Sequence, residues 1–139
     1  MRSVEATVPG IRHRRATGYL PYRHTAEPAG APPAGCLATI TVDFDGPNTR
    51  RARDWIDGVF AASGTDRASP AAGLIAAHFH VSLDGIRVLN LAEWTSARAH
   101  REAAEAAAPR LRDAARRFPG VVGTAVRRFV PYRGITFAD

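Results

Sequence analysis

The first regular pattern in the chain is an alternation of apolar and polar residues over 37–45, which predicts a half-buried strand. After a turn at 46–48, apolar residues recur at three- and four-residue spacing over 49–63, which predicts a helix with one apolar face. That face carries Ala52, Trp55, Ile56, Val59 and Phe60. The regular part of the sequence therefore begins with a strand followed by a helix.

Two further strands are predicted over 74–83 and 86–94, after a loop at 64–73. Asp84 and Gly85 lie between them and favour a tight hairpin turn, because this pair tolerates positive φ. Side chains alternate faces along a strand. In the first strand the apolar residues from Ile75 to Leu83 therefore share one face, and the other face carries His78, His80 and Ser82. In the second strand one face carries Asn90, Ala92 and Trp94.

A long alanine-rich helix is predicted next, capped by Thr95 or Ser96 and running to about Phe118. Pro109 removes a backbone donor inside it, so we expect the helix to bend or split there. A last strand is predicted over 121–131. The order βαββαβ is that of a ferredoxin-like α+β fold, in which a four-stranded sheet carries both helices on one face.

The N-terminal quarter of the chain differs from the rest. Residues 25–35 are rich in proline, alanine and glycine, which disfavours a helix or a central strand. We interpret 1–35 as an arm and linker and 36–139 as the folded domain. The sheet face opposite the helices needs a cover, and a second copy of the sheet would provide it, so we predict a homodimer. We expect the arm to wrap the partner subunit or to cap the mouth of a pocket.

Composition and charge narrow the classes of function. The 139 residues suit one domain, and a net charge of +6 with a pI of about 10.9 could indicate a nucleic-acid partner. The basic residues are all arginines, mostly scattered and not interleaved with aromatic residues, so we expect no nucleic acid. No apolar run approaches the roughly 20 residues of a membrane span, so we expect no membrane partner. The single cysteine, Cys36, fits a cytoplasmic protein.

Asn90 and Trp94 are the first candidates for chemistry. A buried amide without a hydrogen-bond partner costs about 1–3 kcal/mol, so Asn90 needs either a backbone partner or a ligand oxygen. Trp94 ends its strand where the second helix begins, and points into the space between sheet and helices. A packed tryptophan bonded to a carbonyl is one interpretation of Trp94, and the wall of a ligand site is the other.

Residues 79–105, FHVSLDGIRVLNLAEWTSARAHREAAE, resemble the antibiotic biosynthesis monooxygenase family of dimeric α+β barrels. Within it they are most similar to the cofactor-independent, quinone-forming oxygenases of aromatic polyketide pathways. The resemblance covers about residues 36–137. The matching residues of the motif are Ser82, Asp84, Gly85, Asn90, Trp94 and Ser96.

The resemblance implies a reaction that uses molecular oxygen and no cofactor or metal. A flat phenolic substrate of the anthrone or naphthacenone type is deprotonated next to its carbonyl, the carbanion passes an electron to dioxygen, and the resulting hydroperoxide loses water to leave a quinone. Asn90 suits contact with the oxyanion or peroxide, and Trp94 suits ring stacking or a hydrogen bond through its N–H.

The chain departs from the family pattern at two positions. Phe79 and His100 stand where quinone-forming members have tyrosines, and His100 could replace the phenol as a base near neutral pH. The candidate catalytic residues are thus Asn90, Trp94 and His100. The candidate substrate-binding residues are Phe79, Arg112, Trp55 and Phe60. Arg112 matches a substrate-binding arginine of the group, although Arg110 and Arg116 are alternatives.

Two other functions remain open at this point. A polyketide cyclase on the same fold would close a ring without consuming oxygen. A non-catalytic binding or accessory dimer would have its cavity packed shut, and Phe79 in place of a tyrosine is compatible with it. Haem-degrading members of the family carry an asparagine on the first strand and a histidine about ten residues after the tryptophan. This chain fits them poorly, because its first predicted strand has threonines instead and position 104 is alanine. The three histidines at 78, 80 and 100 lack an acidic or cysteine companion, so no metal site is expected.

Overall fold

The computed structural model describes residues 17–25, 29–63 and 71–131, and it contains five strands and two helices in this part of the chain. These are β1 Tyr19–His24, β2 Cys36–Phe44, α1 Thr49–Ser63, β3 Leu74–Ser82, β4 Arg87–Trp94, α2 Ala97–Arg117 and β5 Val121–Phe129. The expectations for residues 1–16, for most of the loop at 64–73 and for the last eight residues lie outside the described residues.

The strands form one antiparallel sheet in the order β1-β3-β4-β2-β5. From β2 onward the order of elements is βαββαβ, which confirms the predicted ferredoxin-like α+β class. The main core is a single cluster that joins the helix-facing side of the sheet to α1, where Ala52 and Ile56 are fully buried. The predicted bounds of both helices agree with the structure to within one residue.

The sheet has one strand more than the sequence predicts, and this strand comes from the predicted arm. β1 pairs with β3 at the edge of the sheet. Pro21 is compatible with that place, because an edge strand has one row of N–H groups that need no partner in the sheet. The boundary proposed at residue 35 stays a prediction, but residues 19–24 belong to the same sheet as the domain.

The β3–β4 turn is locked by the motif residues Ser82 and Asp84. The Ser82 hydroxyl donates to Asp84 (2.6 Å) and accepts from the amides of Ile86 (3.2 Å) and Arg87 (2.9 Å). Gly85 has a φ of +71°. Leu83, expected on the apolar strand face, is instead 66% exposed, because β3 ends at Ser82 and Leu83 belongs to the turn.

Helix α2 begins at the predicted cap and is not split. Of the two candidates Ser96 is the cap, since its hydroxyl accepts from the amide of Ala99 (3.0 Å). The helix continues through Pro109 and is not split there, so of the two predicted outcomes a bend stays a prediction. Pro109 is exposed, so water can bond the carbonyl of Glu105 that loses its helical donor. No helix among the described residues is long and apolar enough to cross a membrane.

Candidate ligand cavity

Two cross-strand rows of the sheet form the floor of a cavity between the sheet and the helices. Strand pairing places the residues of the central row directly beside one another: Phe79, Asn90, Ile40 and Val126. The next row on the same face runs through Val81, Val88, Val42 and Thr124. Residues two apart along a strand share a face, so both rows point towards the helices. Asn90 is therefore the one amide in an otherwise apolar row.

The two helices form the walls of this cavity. Trp55 and Val59, one turn apart on α1, line one side, and Leu111, Arg112 and Ala114 of α2 line the other. The volume is about 280 Å³, close to the lower end of the range for small-molecule sites. Leu111 and Val126 are about half exposed, so the cavity opens to solvent between α2 and β5.

Among the described residues, one charged side chain lines the cavity. It is that of Arg112, and the other lining residues are apolar apart from Asn90, Thr124 and the indole N–H of Trp55. The two alternatives to Arg112, Arg110 and Arg116, do not line the cavity. An apolar enclosure with a single guanidinium suits a flat aromatic molecule that carries one anionic or strongly polarised oxygen.

Asn90 carries an unused acceptor at the floor of the cavity. Its Oδ1 is buried and has no hydrogen-bond partner among the described residues. A buried acceptor without a donor costs about 1–3 kcal/mol, a cost that a ligand hydroxyl or a water molecule in the cavity would remove. The side-chain amide also offers N–H donors, so this one residue can accept from a phenol and donate to an oxyanion.

Three of the predicted site residues lie outside the lining of the cavity. Trp94 and His100 pack on each other with ring centroids 5.1 Å apart, at the end of β4 and in the first turn of α2. Along α2, His100 and Leu111 are separated by about 16 Å, so the first turn of the helix is remote from the wall. Phe60 lies behind Phe79, with their rings 5.2 Å apart. The cavity thus unites Asn90, Phe79, Arg112 and Trp55 of the predicted set.

Trp94 and His100 form a buried polar pair at this end of the core. Trp94 is 7% exposed and His100 3% exposed. The indole N–H of Trp94 has no partner in the described part of the chain, so the expected bond to a carbonyl is absent there. Burial lowers the pKa of His100, and the positive charge of Arg128, whose guanidinium lies 3.5 Å from Nδ1, lowers it further. His100 is therefore a neutral imidazole near neutral pH.

Sequence reasoning missed several lining residues, chiefly Ile40 and Val126 on the floor and Leu111 on α2. Ile40 and Val126 become neighbours of Asn90 only through the pairing of β2 with β4 and β5, which are distant in sequence. Alternation along β2 could have indicated Ile40, which shares an apolar strand face with Ala38 and Val42, whereas the face of Val126 also carries Thr124 and Arg128. No group of three or more metal-ligating side chains occurs among the described residues.

The fold and sequence are similar to those of a solved structure, a monooxygenase from the gene ActVA-Orf6 of Streptomyces coelicolor in complex with the ligand nanaomycin D. The TM-score is 0.62, and 26% of residues are identical over 76% of this chain and 94% of that chain. The chain resembles a monooxygenase. The predicted resemblance is confirmed, and the likeness supports the prediction that the chain is an oxidoreductase. No family model matches the chain, and no curated protein matches it.

The buried imidazole of His100 predicts a pH-dependent stability. Because its pKa is lower in the folded chain than in the unfolded chain, the unfolded chain takes up the proton first as the pH falls. The free energy of unfolding is therefore unaffected by His100 well above its ordinary pKa of about 6.5, and decreases below it. Calorimetry between about pH 7.5 and about pH 5 should give a steeper fall of Tm for the wild type than for His100→Gln. Parallel Tm curves for the two proteins would contradict a buried, neutral His100.

Proposed function

We propose that the chain is a cofactor-independent monooxygenase that oxidises a flat phenolic aromatic polyketide to a quinone with molecular oxygen. The observation that carries the proposal is the single amide of Asn90, with an unpartnered oxygen, set into the apolar floor of a cavity. The likeness to the Streptomyces coelicolor monooxygenase supports it, since that protein was crystallised with an aromatic ligand, nanaomycin D.

The proposed reaction converts an activated ring CH₂ group to a carbonyl, whose oxygen comes from dioxygen, and reduces the other oxygen atom to water. A proton leaves the carbon next to the aromatic ring, and the carbanion transfers one electron to dioxygen. The two radicals then combine into a peroxide, which is protonated. Loss of the second C–H proton together with hydroxide breaks the O–O bond and leaves the carbonyl. Two electrons come from each of the C–H bonds, so no external reductant is needed.

The lining residues suit stabilisation of the carbanion better than removal of the proton. No carboxylate or imidazole of the described residues lines the cavity, whereas Arg112 and the amide of Asn90 are donors for an enolate oxygen. A substrate whose anion is delocalised over several rings needs only a modest shift of its acidity, which an aligned donor in an apolar site can supply. Trp55 and Phe79 supply the apolar surfaces against which flat rings pack.

We propose a positioning part for Trp94 and His100. Their rings pack on each other beneath the end of β4, on the same strand face as Asn90 but outside the cavity lining. His100, neutral and buried, would fix the orientation of Trp94. A fixed Trp94 would hold the end of β4 in place, and with it the position of the Asn90 side chain on the same strand. This differs from the direct contact with substrate that the sequence led us to expect.

We further propose that a second copy of the chain covers the open face of the sheet. That face exposes large apolar side chains, with Leu91 37% and Phe129 49% accessible, and the described residues provide no cover for them. Light scattering should give a mass above the 14.9 kDa of one chain. A particle of single-chain mass at every accessible concentration would refute the dimer. We also propose a cytoplasmic location, a proposal that the single cysteine of the chain, the buried Cys36, supports.

The function is tested by supplying an anthrone in air and following both quinone absorbance and oxygen uptake, corrected for spontaneous oxidation. We expect wild-type protein to form quinone with one dioxygen consumed per product. Asn90→Ala should lower kcat by about 100-fold, the usual effect of losing an oxyanion donor. Its affinity for nanaomycin D should change far less, because the apolar walls of the cavity remain.

Asn48→Ala is the matched control, since it removes the other asparagine of the chain. Asn48 accepts from the amide of Arg51 (3.0 Å) at the start of α1 and does not line the cavity, so this variant should lose some stability and keep its kcat. Equal kcat in Asn90→Ala and wild type would sink the proposed role of the amide. Ring closure of a polyketide without oxygen uptake would identify a cyclase instead.

A further inference from the structure

Strand β1 is held against α1 by a polar cluster centred on Asp57. The Tyr22 hydroxyl donates to Asp57 (2.9 Å to Oδ2), and a guanidinium N–H of Arg23 donates to it as well (3.1 Å to Oδ1). The register of β1 with β3 shifts between Pro21 and Arg23. Such an irregularity turns side chains away from strict alternation, which explains how two consecutive residues reach the same helix.

A line of ring contacts leads from this cluster to the cavity. The guanidinium carbon of Arg23 lies 4.0 Å from the centre of the Phe60 ring, a cation–π contact. Phe60, only 3% exposed, presents its ring edge-to-face to Phe79 at 5.2 Å and 63°. Phe79 in turn lines the cavity at the end of the row that contains Asn90. Arg23 is the partner of Phe79 in the β1–β3 pairing, and its guanidinium contacts the cavity wall through the ring of Phe60.

We propose that Arg23 is a positioning residue that fixes Phe79 through Phe60 and thereby sets the length of flat aromatic ligand the cavity accepts. The inference rests on the proposed function, in that it takes the cavity to bind such ligands. The guanidinium, tied to Asp57, lies against the Phe60 ring and holds that ring in its contact with Phe79. Without that charge Phe60 can move outward, Phe79 can follow, and the cavity lengthens at this end.

A purely structural part for β1 predicts something different. If Arg23 only fastened the strand to α1, its loss would weaken the fold and reduce the affinity for all ligands together. The same interface provides a control, since the guanidinium carbon of Arg53 lies 5.4 Å from the centre of the Tyr22 ring. Arg53 therefore contributes a cation–π contact between β1 and α1 that is made to Tyr22 and not to Phe60.

The test compares the affinities of two hydroxyquinones, one of two fused rings and one of four, by isothermal titration calorimetry. In Arg23→Gln we expect the ratio of the two Kd values to shift in favour of the larger ligand by about three- to tenfold, the effect of one partly desolvated cation–π contact. Arg53→Gln should keep the wild-type ratio. In Arg23→Lys the ratio of the two Kd values should stay close to that of the wild type, because the ammonium keeps a positive charge over the Phe60 ring.

A second experiment tests whether Arg23 acts on Phe79 through the Phe60 ring. It compares two proteins that both carry Phe60→Leu, so it does not rest on the single variant Arg23→Gln. In a Phe60→Leu background, Arg23→Gln should leave the ratio of Kd values unchanged. An unchanged ratio in Arg23→Gln, or a shift that persists with Leu at position 60, would overturn the inference while leaving the proposed function intact. Failure of the wild type to bind either quinone would instead overturn the proposed function, and this inference with it.

Discussion

The hydrogen-bonded register between β3 and β4 is the constraint on which the rest of the structure depends. It is set at the hairpin turn, where the Ser82 hydroxyl bonds both Asp84 and the first amides of the returning strand. With that register Asn90 lies beside Phe79 and faces the helices. A slip of one residue would turn Asn90 to the opposite face and bring Leu89 or Leu91 into the cavity. The turn residues do not line the cavity, but by fixing the register they determine that the side-chain amide of Asn90 faces it.

The cavity combines features that a well-packed core avoids. It encloses about 280 Å³, and the side-chain oxygen of Asn90 is buried with no partner among the described residues. Both features lower stability, because unfilled volume forfeits dispersion contacts and an unpaired acceptor forfeits its hydrogen bonds to water. They are what a site needs if it is to take up a flat apolar molecule with one polar oxygen. The tight packing elsewhere in the core, around Ala52 and Ile56, offsets this local loss.

The sequence predicted the elements from β2 onward, because alternation and helical spacing report directly on which face is buried. Of the candidate site residues, Asn90, Phe79, Trp55 and Arg112 line the cavity, and their roles stay a prediction. The sequence did not predict how far along its strand or helix each candidate residue lies relative to the cavity. Trp94 shares the strand face of Asn90 but lies four residues further on, and His100 lies in the turn of α2 beside it, so both fall beyond the end of the cavity.

The sequence did not predict the extra strand β1 either, for a different reason. Its six residues include a proline and precede a linker rich in proline, alanine and glycine, so no local pattern indicates a strand. Its pairing with β3 and its contact with Asp57 depend on partners more than thirty residues away. Non-local contacts of this kind leave no periodic signal in a single sequence.

The most direct test of the account is a crystal structure of the protein with nanaomycin D. We predict ligand density over the row of Phe79, Asn90, Ile40 and Val126, with a ligand oxygen within hydrogen-bond distance of the Asn90 amide and another polar atom near Arg112. Ligand bound elsewhere, with this cavity empty or closed by its own side chains, would contradict the assignment of the site and the function built on it.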